Sequence, residues 1–343
     1  MERLGLGLVG CGKEGQRYLQ ALVHLPQARL AGAADADPER ARAAALAFEV
    51  PAYASLEGLL ADPAVQAVVV ATPTGTHAPL AAAALEAGRP VLVEPPLALD
   101  YGEAARLVEL AARRGLALAV SHHPRLLPPV QRLLQAAGEG RLGRLLLGEA
   151  VGVWPRPLSY YQEAPWRASV EAGGGVHLTQ AVHFFDLLIG LFGPAAQVTA
   201  LGATLAHALP VPDSLTAAVR FRSGALATLA FTTAAARVAA GERLTVIGSE
   251  GAAVVGPNLQ ELEAWRVPGD DEETVRQEMA GLPARSGWQG QWDALADFVE
   301  AVQEGRPPVL GADTTLEGVA LIQAVARAAR QGRPVPLTEV SGA

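Results

Sequence analysis

Residues 7–15, GLVGCGKEG, place three glycines at the spacing Gly10-x-Gly12-x-x-Gly15 directly behind a short apolar run, Leu4 to Val9. A helical pattern through Tyr18, Leu19, Leu22 and Val23 follows, and an acid, Asp35, closes the next apolar run, Leu30 to Ala34. Alone the glycines are a weak signal. Between a strand and a helix, with an acid about 20 residues on, they form a dinucleotide-binding fingerprint. Gly10 permits the tight turn, Gly12 lets a pyrophosphate approach the backbone, and Gly15 lets helix and strand pack closely. Free N–H groups and the helix dipole then hold the phosphate charge. The Asp35 carboxylate accepts hydrogen bonds from the adenosine ribose and repels a 2′-phosphate, which favours NAD; Arg40 is near enough in sequence to leave NADP open. Cys11, Lys13 and Glu14 complete the loop. Lys13 is the only lysine of the chain. It stands in the first helical turn, where the dipole disfavours a cation unless an anion is bound nearby.

Strand-like and helix-like stretches alternate from there: a helix over 38–48, a strand over 65–71, a helix over 78–87 stopped at Gly88, a strand over 91–93, a helix over 102–114 and a strand over 116–120. Apolar strands alternating with helices predict a parallel sheet covered on both faces. The pattern breaks at residues 121–129, SHHPRLLPP, because proline continues neither a ladder nor a helix interior. After a helix over 130–137, longer strands over 145–153, 215–221, 225–232 and 243–247 predict a mostly antiparallel sheet, with a hairpin at Arg222-Ser223-Gly224. Helices are expected over 176–191, 291–303 and 315–330, and a solvated loop at 269–273, GDDEE. The fold class expected is α/β: a doubly wound Rossmann domain over 1–122 and an α+β domain with a large, mostly antiparallel sheet over 123–343.

The 343 residues suffice for two cores. A hydrophobic share of 50% with 18% charged residues is a soluble globular profile. A net charge of -8 argues against a nucleic-acid partner. The single cysteine, Cys11, excludes a disulfide framework and a multi-cysteine metal site, and no metal site is expected. No secretory signal and no long apolar run is seen, so a cytoplasmic protein with no membrane partner is expected.

Five segments together resemble the Gfo/Idh/MocA family, named for glucose-fructose oxidoreductase, inositol dehydrogenase and a rhizopine-catabolism protein. Beyond the glycine loop they are residues 71–77, ATPTGTH; 93–96, VEPP, where the family has a Glu-Lys-Pro motif; 160–167, YYQEAPWR; and 173–186, GGGVHLTQAVHFFD. The resemblance spans almost the whole chain. It implies NAD(P)-dependent oxidation or reduction of a carbinol carbon on a sugar, cyclitol or sugar nucleotide, and a homo-oligomer, as relatives are often dimers or tetramers. Carried over by position, Thr72, Pro73, Thr74, His77, Glu94 and Pro95 border the nicotinamide half of the cofactor, while Trp166 and Arg167 lie over the nicotinamide or the substrate mouth.

Oxidising a carbinol requires a base within hydrogen-bond reach of the hydroxyl proton. The resemblance puts Pro95 at the usual lysine position and Thr179 at the usual aspartate; the histidine persists as His183. On one continuous helix Thr179 and His183, spaced i and i+4, share a face, behind Gly173-Gly174-Gly175, which would permit close backbone approach to a ligand. His183 is expected as the base, its intrinsic pKa being suited to neutral pH, with Tyr161 assisting and Thr179 binding a substrate hydroxyl. His177 lies six residues before His183, off its face. Side chains alternate along an extended segment, so at most one of His122 and His123 reaches the cleft; His123 is the candidate for substrate contact. Asp186 is expected to make a structural hydrogen bond. Two other functions remain open at this point: a dinucleotide-binding accessory protein without turnover, and a glycoside-cleaving enzyme that oxidises its substrate only transiently.

Overall fold

A computed structural model describes residues 3–235, 241–285 and 287–342. In chain order the first elements are β1 (Leu4–Val9), α1 (Lys13–Val23), β2 (Ala28–Ala34), α2 (Pro38–Ala47), β3 (Ala52–Tyr53), α3 (Leu56–Ala61), β4 (Ala67–Val70), α4 (His77–Glu86), β5 (Val91–Val93), α5 (Tyr101–Arg114) and β6 (Leu118–Val120). There follow α6 (Pro128–Gly138), β7 (Leu145–Val153), α7 (Leu158–Gln162), α8 (Val176–Thr179), α9 (Val182–Phe192), β8 (Ala195–Ala203), β9 (Ser214–Phe221), β10 (Leu226–Thr232), β11 (Gly241–Gly248), β12 (Ala252–Val255), β13 (Leu262–Arg266) and α10 (Glu272–Ala280). Last come α11 (Gln289–Glu304), α12 (Leu316–Gln331), β14 (Val335–Pro336) and α13 (Thr338–Ser341).

Two compact units result: Met1–His123 with Ser286–Leu316, and Pro124–Arg285 with Glu317–Ala343. In the first, six parallel strands run in the order β3-β2-β1-β4-β5-β6. Every residue of β1, β4, β5 and β6 is buried, as a parallel sheet covered on both faces requires. The sheet order reverses at β1, so the loops after β1 and β4 open side by side, the usual place for a ligand in such a sheet.

The sequence reading assigned all of 123–343 to one C-terminal domain. Instead α11 returns to the first unit. Its Leu295, Phe298 and Val299 pack with Tyr18, Leu19 and Leu22 of α1 in one core cluster. Trp288, just ahead of it, stacks on His24 with centroids 4.6 Å apart, and the Trp292 indole N–H donates to the His24 carbonyl at 3.2 Å. Amphipathic spacing shows that a helix buries one face, but not against which sheet.

The second unit holds eight strands in the order β13-β12-β11-β7-β10-β9-β8-β14. All pairs are antiparallel except β7 with β10. The hairpin at 222–224 joins β9 to β10, with Gly224 at φ +89°, which is why glycine suits that corner. Leu215, Ala217, Val219 and Phe221 of β9 and Ala227, Leu229 and Phe231 of β10 alternate as the buried face. Helix α9 covers it: Phe184 lies 5.3 Å from Phe231, and Phe192 stacks on Phe221 at 5.0 Å. Each fully buried aromatic or leucine there contributes roughly 1.5–3 kcal/mol.

Two expectations are corrected. The helix expected over 176–191 is broken: α8 ends at Thr179, and Gln180 adopts φ -127°, ψ -51° before α9 begins. The GDDEE run is not simply a solvated loop. Asp271 caps α10 by accepting the Thr274 N–H at 2.9 Å, and Asp270 pairs with Arg141 at 2.6 Å and Arg132 at 3.3 Å. Among the described residues no helix is long and apolar enough to cross a membrane.

Candidate active-site residues in the two units

The glycine loop follows β1 because the chain must turn sharply there. Gly10 has φ +94°, and a Cβ on it would lie 2.5 Å from the Ala71 carbonyl oxygen after β4. A Cβ on Gly15 would lie 2.0 Å from the Gly10 carbonyl oxygen. At Gly12 the situation is opposite: the nearest atom to an added Cβ is Nη1 of Arg40, 3.9 Å away. Gly10 and Gly15 are therefore demanded by the protein's own backbone, whereas the space above Gly12 is open. Gly12 is the N-cap of α1, and no side chain caps that helix, so its positive end faces this space. The residues present thus fit a bound pyrophosphate.

Asp35 organises the loop. Its carboxylate accepts the Cys11 N–H at 2.6 Å and the Asp37 N–H at 2.8 Å. Two of the roughly four acceptor positions of a carboxylate are thereby filled, and the remainder can take ribose hydroxyls. Cys11 itself is buried, and burial, with Asp35's charge adding, pushes its thiol up to about 12. Lys13 is exposed at the start of α1. The Glu14 side chain is engaged by Arg17 at 2.8 Å and by the Gln291 amide at 3.1 Å, so Glu14 offers the loop its backbone rather than its carboxylate.

The loops after β4 and β5 are locked together by His77. One ring nitrogen lies 2.8 Å from the Pro96 carbonyl oxygen and the other 2.9 Å from that of Thr72, and the residue is 1% exposed. Desolvation lowers the His77 pKa although both carbonyls favour the cation. The imidazole therefore holds Thr72, Pro73 and Thr74 against the Pro95-Pro96 turn, whose peptide bond is cis. The Thr72 hydroxyl accepts from Thr76 at 2.8 Å. Next to Pro95, Glu94 accepts the Tyr18 hydroxyl at 2.5 Å. Burial, together with the charge of Glu14, pushes the Glu94 carboxyl up to about 8. Tyr18, read from the sequence only as a helix-face residue, is thus a partner of the candidate site. His123 packs on α11, its Nδ1 lying 2.6 Å from where a Cβ on Gly290 would sit, and burial brings its pKa down to about 4. His123 is neutral near pH 7 and engaged in helix packing.

In the second unit, the adjacent tyrosines Tyr160 and Tyr161 have different surroundings. Tyr161 is 4% exposed, and its hydroxyl pairs with the Thr233 hydroxyl at 2.8 Å. Tyr160 is half-buried, its hydroxyl accepts the Gln180 amide at 3.1 Å, and two guanidiniums flank its ring: Arg167 at 4.0 Å and Arg156 at 5.2 Å. Trp166 is half-buried, its ring 5.8 Å from the Arg167 guanidinium carbon. The glycine triplet also serves the chain itself: a Cβ on Gly174 would lie 2.4 Å from the Arg167 carbonyl oxygen, and Gly175 adopts φ +99°.

Because the helix breaks after Thr179, the i, i+4 relation between Thr179 and His183 does not hold. Thr179 ends α8, its hydroxyl donating to the Gly175 carbonyl at 2.9 Å. His183 is half-buried and stands in the first turn of α9. His177 is buried, and burial with the charge of Arg330 lowers it to about 4. Asp186 forms the structural contact expected of it, taking Arg125 in a two-pronged pair at 2.6 and 2.7 Å.

Two family models match: the oxidoreductase family's NAD-binding Rossmann fold over residues 4–122, and its C-terminal alpha/beta domain over residues 137–337. The chain is 33% identical over 231 residues to a UDP-N-acetylglucosamine 3-dehydrogenase of Acidithiobacillus ferrooxidans, covering 67% of each chain. It is 25% identical over 346 residues to a myo-inositol 2-dehydrogenase of Thermotoga maritima, covering 98% of this chain and 99% of the relative. Among solved structures, the WlbA dehydrogenase of Bordetella pertussis in complex with NADH and UDP-GlcNAcA superposes with a TM-score of 0.90 at 29% identity, covering 98% of both chains. Some matches are partial: that to an uncharacterized oxidoreductase of Synechocystis spans 53% of that relative. With both of its domains matched, the chain belongs to the Gfo/Idh/MocA oxidoreductase family and carries that family's NAD-binding Rossmann domain.

Proposed function

We propose that the protein is an NAD-dependent dehydrogenase or reductase acting on a carbinol carbon of a sugar, cyclitol or sugar nucleotide. The observation that carries this reading is the open space above Gly12 at an uncapped helix start, beside an Asp35 carboxylate with acceptor positions to spare. The relatives named above are dehydrogenases, which favours neither accessory binding nor glycoside cleavage. Asp35 disfavours a 2′-phosphate; Arg40, near Gly12, leaves a weaker use of NADP.

Bound NAD supplies the hydride acceptor. The amides at the start of α1 hold its pyrophosphate, and Asp35 orients the adenosine ribose. His77 fixes the Thr72–Thr74 loop against the Pro95 turn that borders the nicotinamide half. A ring nitrogen of His183 takes the proton of the substrate hydroxyl, and Thr179 and Trp166 bind the substrate. On the reading that Pro95 stands at the family's lysine position, no lysine assists, because the only one begins α1. Removal of a general base costs typically 10²–10⁴-fold. Reduction of NAD with a panel of sugars, inositols and nucleotide sugars, followed at the NADH absorbance, tests the proposal. Turnover that falls by about that factor in His183→Ala supports it; tight NADH binding with no turnover on any of them contradicts it.

A homo-oligomer, dimer or tetramer, is part of the same proposal. Leu147, Leu226 and Ile247 are exposed on adjacent strands of the eight-stranded sheet, and sedimentation velocity reads the state directly.

A further inference from the structure

Arg167 is the only buried arginine among the described residues, at 9% exposure. A cation so far from water is ordinarily paired with an acid. Arg167 has none within ion-pairing distance among the described residues: one N–H donates to the Tyr160 carbonyl at 2.7 Å, and its charged plane lies 4.0 Å from the Tyr160 ring. Arg156 shares that ring at 5.2 Å. Its partners are neutral, the Gln180 amide oxygen at 2.6 Å and the Pro155 carbonyl at 3.3 Å, and its Nε is buried with no hydrogen-bond partner.

Two carboxylates of this unit, Asp213 and Glu242, are committed elsewhere. Asp213 accepts the N–H groups of Leu205, Ala206 and His207 and the Ser214 hydroxyl at 2.8–3.3 Å. Glu242 accepts the Trp154 indole at 2.6 Å, and burial raises its pKa despite the charge of Arg156. Two guanidiniums therefore converge on one tyrosine with donors to spare and no ion pair among the described residues, the charge of Glu242 reaching Arg156 only from beyond pairing distance. Arginine's planar fork matches a carboxylate or a phosphoryl group.

We propose that Arg156 and Arg167, held by Tyr160 and Gln180, bind an anionic group of the substrate: a carboxylate on the sugar or the phosphate of a nucleotide sugar. This rests on the dehydrogenase reading and narrows its substrate class to acidic sugars. Tyr160 and Gln180 act as positioning residues, fixing the two forks before the substrate arrives.

Calorimetry on the NADH-loaded protein tests the proposal with three probes: D-glucuronate, its neutral methyl ester, and uridine diphosphate. The expected result is saturable binding of one anionic probe, weakened roughly 10–100-fold in Arg167→Met and in Arg156→Gln, with the ester bound weakly and equally by all. Glucuronate carrying the effect identifies a sugar carboxylate, uridine diphosphate a pyrophosphate. Unchanged NADH affinity shows that each variant is folded; should Arg167→Met unfold, Arg167→Lys, which keeps the charge but loses the fork, serves in its place. No binding of either anion, or equal binding by wild type and variants, overturns the proposal. Anion binding without NAD reduction on any sugar leaves the subsite standing and removes the dehydrogenase reading. Oxidation of neutral sugars without anion binding does the reverse.

Discussion

The Asp35 carboxylate accepts the Cys11 backbone N–H at 2.6 Å, tying the end of β2 to the glycine loop that follows β1. On the proposed function, the acid that would meet the adenosine ribose is therefore also a brace of the loop that would meet the phosphates. Asp35→Asn keeps the shape, halves the acceptor capacity and removes the charge. Its NADH affinity is expected to fall roughly 10–100-fold, while the preference over NADPH narrows, because nothing then repels a 2′-phosphate. Fluorescence titration with both reduced cofactors reads each value.

Cys11 supplies a clean chemical probe, as the only thiol of the chain. Buried and pushed up to about 12, it stays protonated at pH 8, and the thiolate is the reactive species. A disulfide reagent is expected to label no thiol in the native protein within minutes and one per chain in denaturant. Rapid native labelling would show that the loop opens.

Glu94, pushed up to about 8, carries a stated sign. Its folded pKa lies above its unfolded value, so the folded state holds the proton more tightly. Its contribution to stability is complete below about pH 4.5 and is lost as pH rises through about 8. In Glu94→Gln this loss disappears, since glutamine does not ionise and can still accept from Tyr18. The difference in melting temperature between variant and wild type is expected to grow in the variant's favour from pH 5 to pH 9. A flat difference would place the Glu94 carboxyl in its ordinary range.

His77→Ala removes the ring that ties Thr72 to Pro96 and, because a neutral imidazole has one N–H to give, deprives one of the two carbonyls of its donor. About 1–3 kcal/mol of lost stability is expected for that orphaned group. Urea denaturation measures it, and the loops after β4 and β5 should exchange their amide hydrogens faster.

Breaking the Arg125–Asp186 pair should cost more. The Asp186 side chain is 2% exposed and that of Arg125 14%, and removing one partner of a buried pair costs about 3–5 kcal/mol. Asp186→Ala is expected to lose that much in urea; a loss below about 1 kcal/mol would mean that water or other donors replace the pair.

Much of this was legible in the residues. Continuous apolar runs such as Val91 to Val93 could only be strands buried on both faces, and alternation along 215–221 showed one buried face. The glycine spacing was equally readable, because steric demand at Gly10 and Gly15 admits no other residue. What stayed hidden depended on tertiary context. A stretch as apolar as 176–191 reads as one helix, yet it breaks at Gln180, whose side-chain amide bonds the Tyr160 hydroxyl and the Thr179 carbonyl. Nothing local distinguishes Tyr160 from Tyr161; only packing decides which ring is sealed against Thr233 and which meets two arginines. The destination of α11 was likewise invisible, because its apolar face names no partner.

The most direct test of the account is Gly12→Ala. The nearest protein atom to the added methyl group is 3.9 Å away, and the Gly12 backbone, at φ -71° and ψ -158°, is open to any L-residue. The variant should melt within about 1 kcal/mol of wild type, unlike Gly15→Ala, whose methyl would meet a carbonyl oxygen at 2.0 Å. If the space above Gly12 receives the cofactor's pyrophosphate, calorimetry will show NADH bound at least about tenfold more weakly by the folded variant, about 1.4 kcal/mol. Undiminished NADH affinity in that variant would contradict the account.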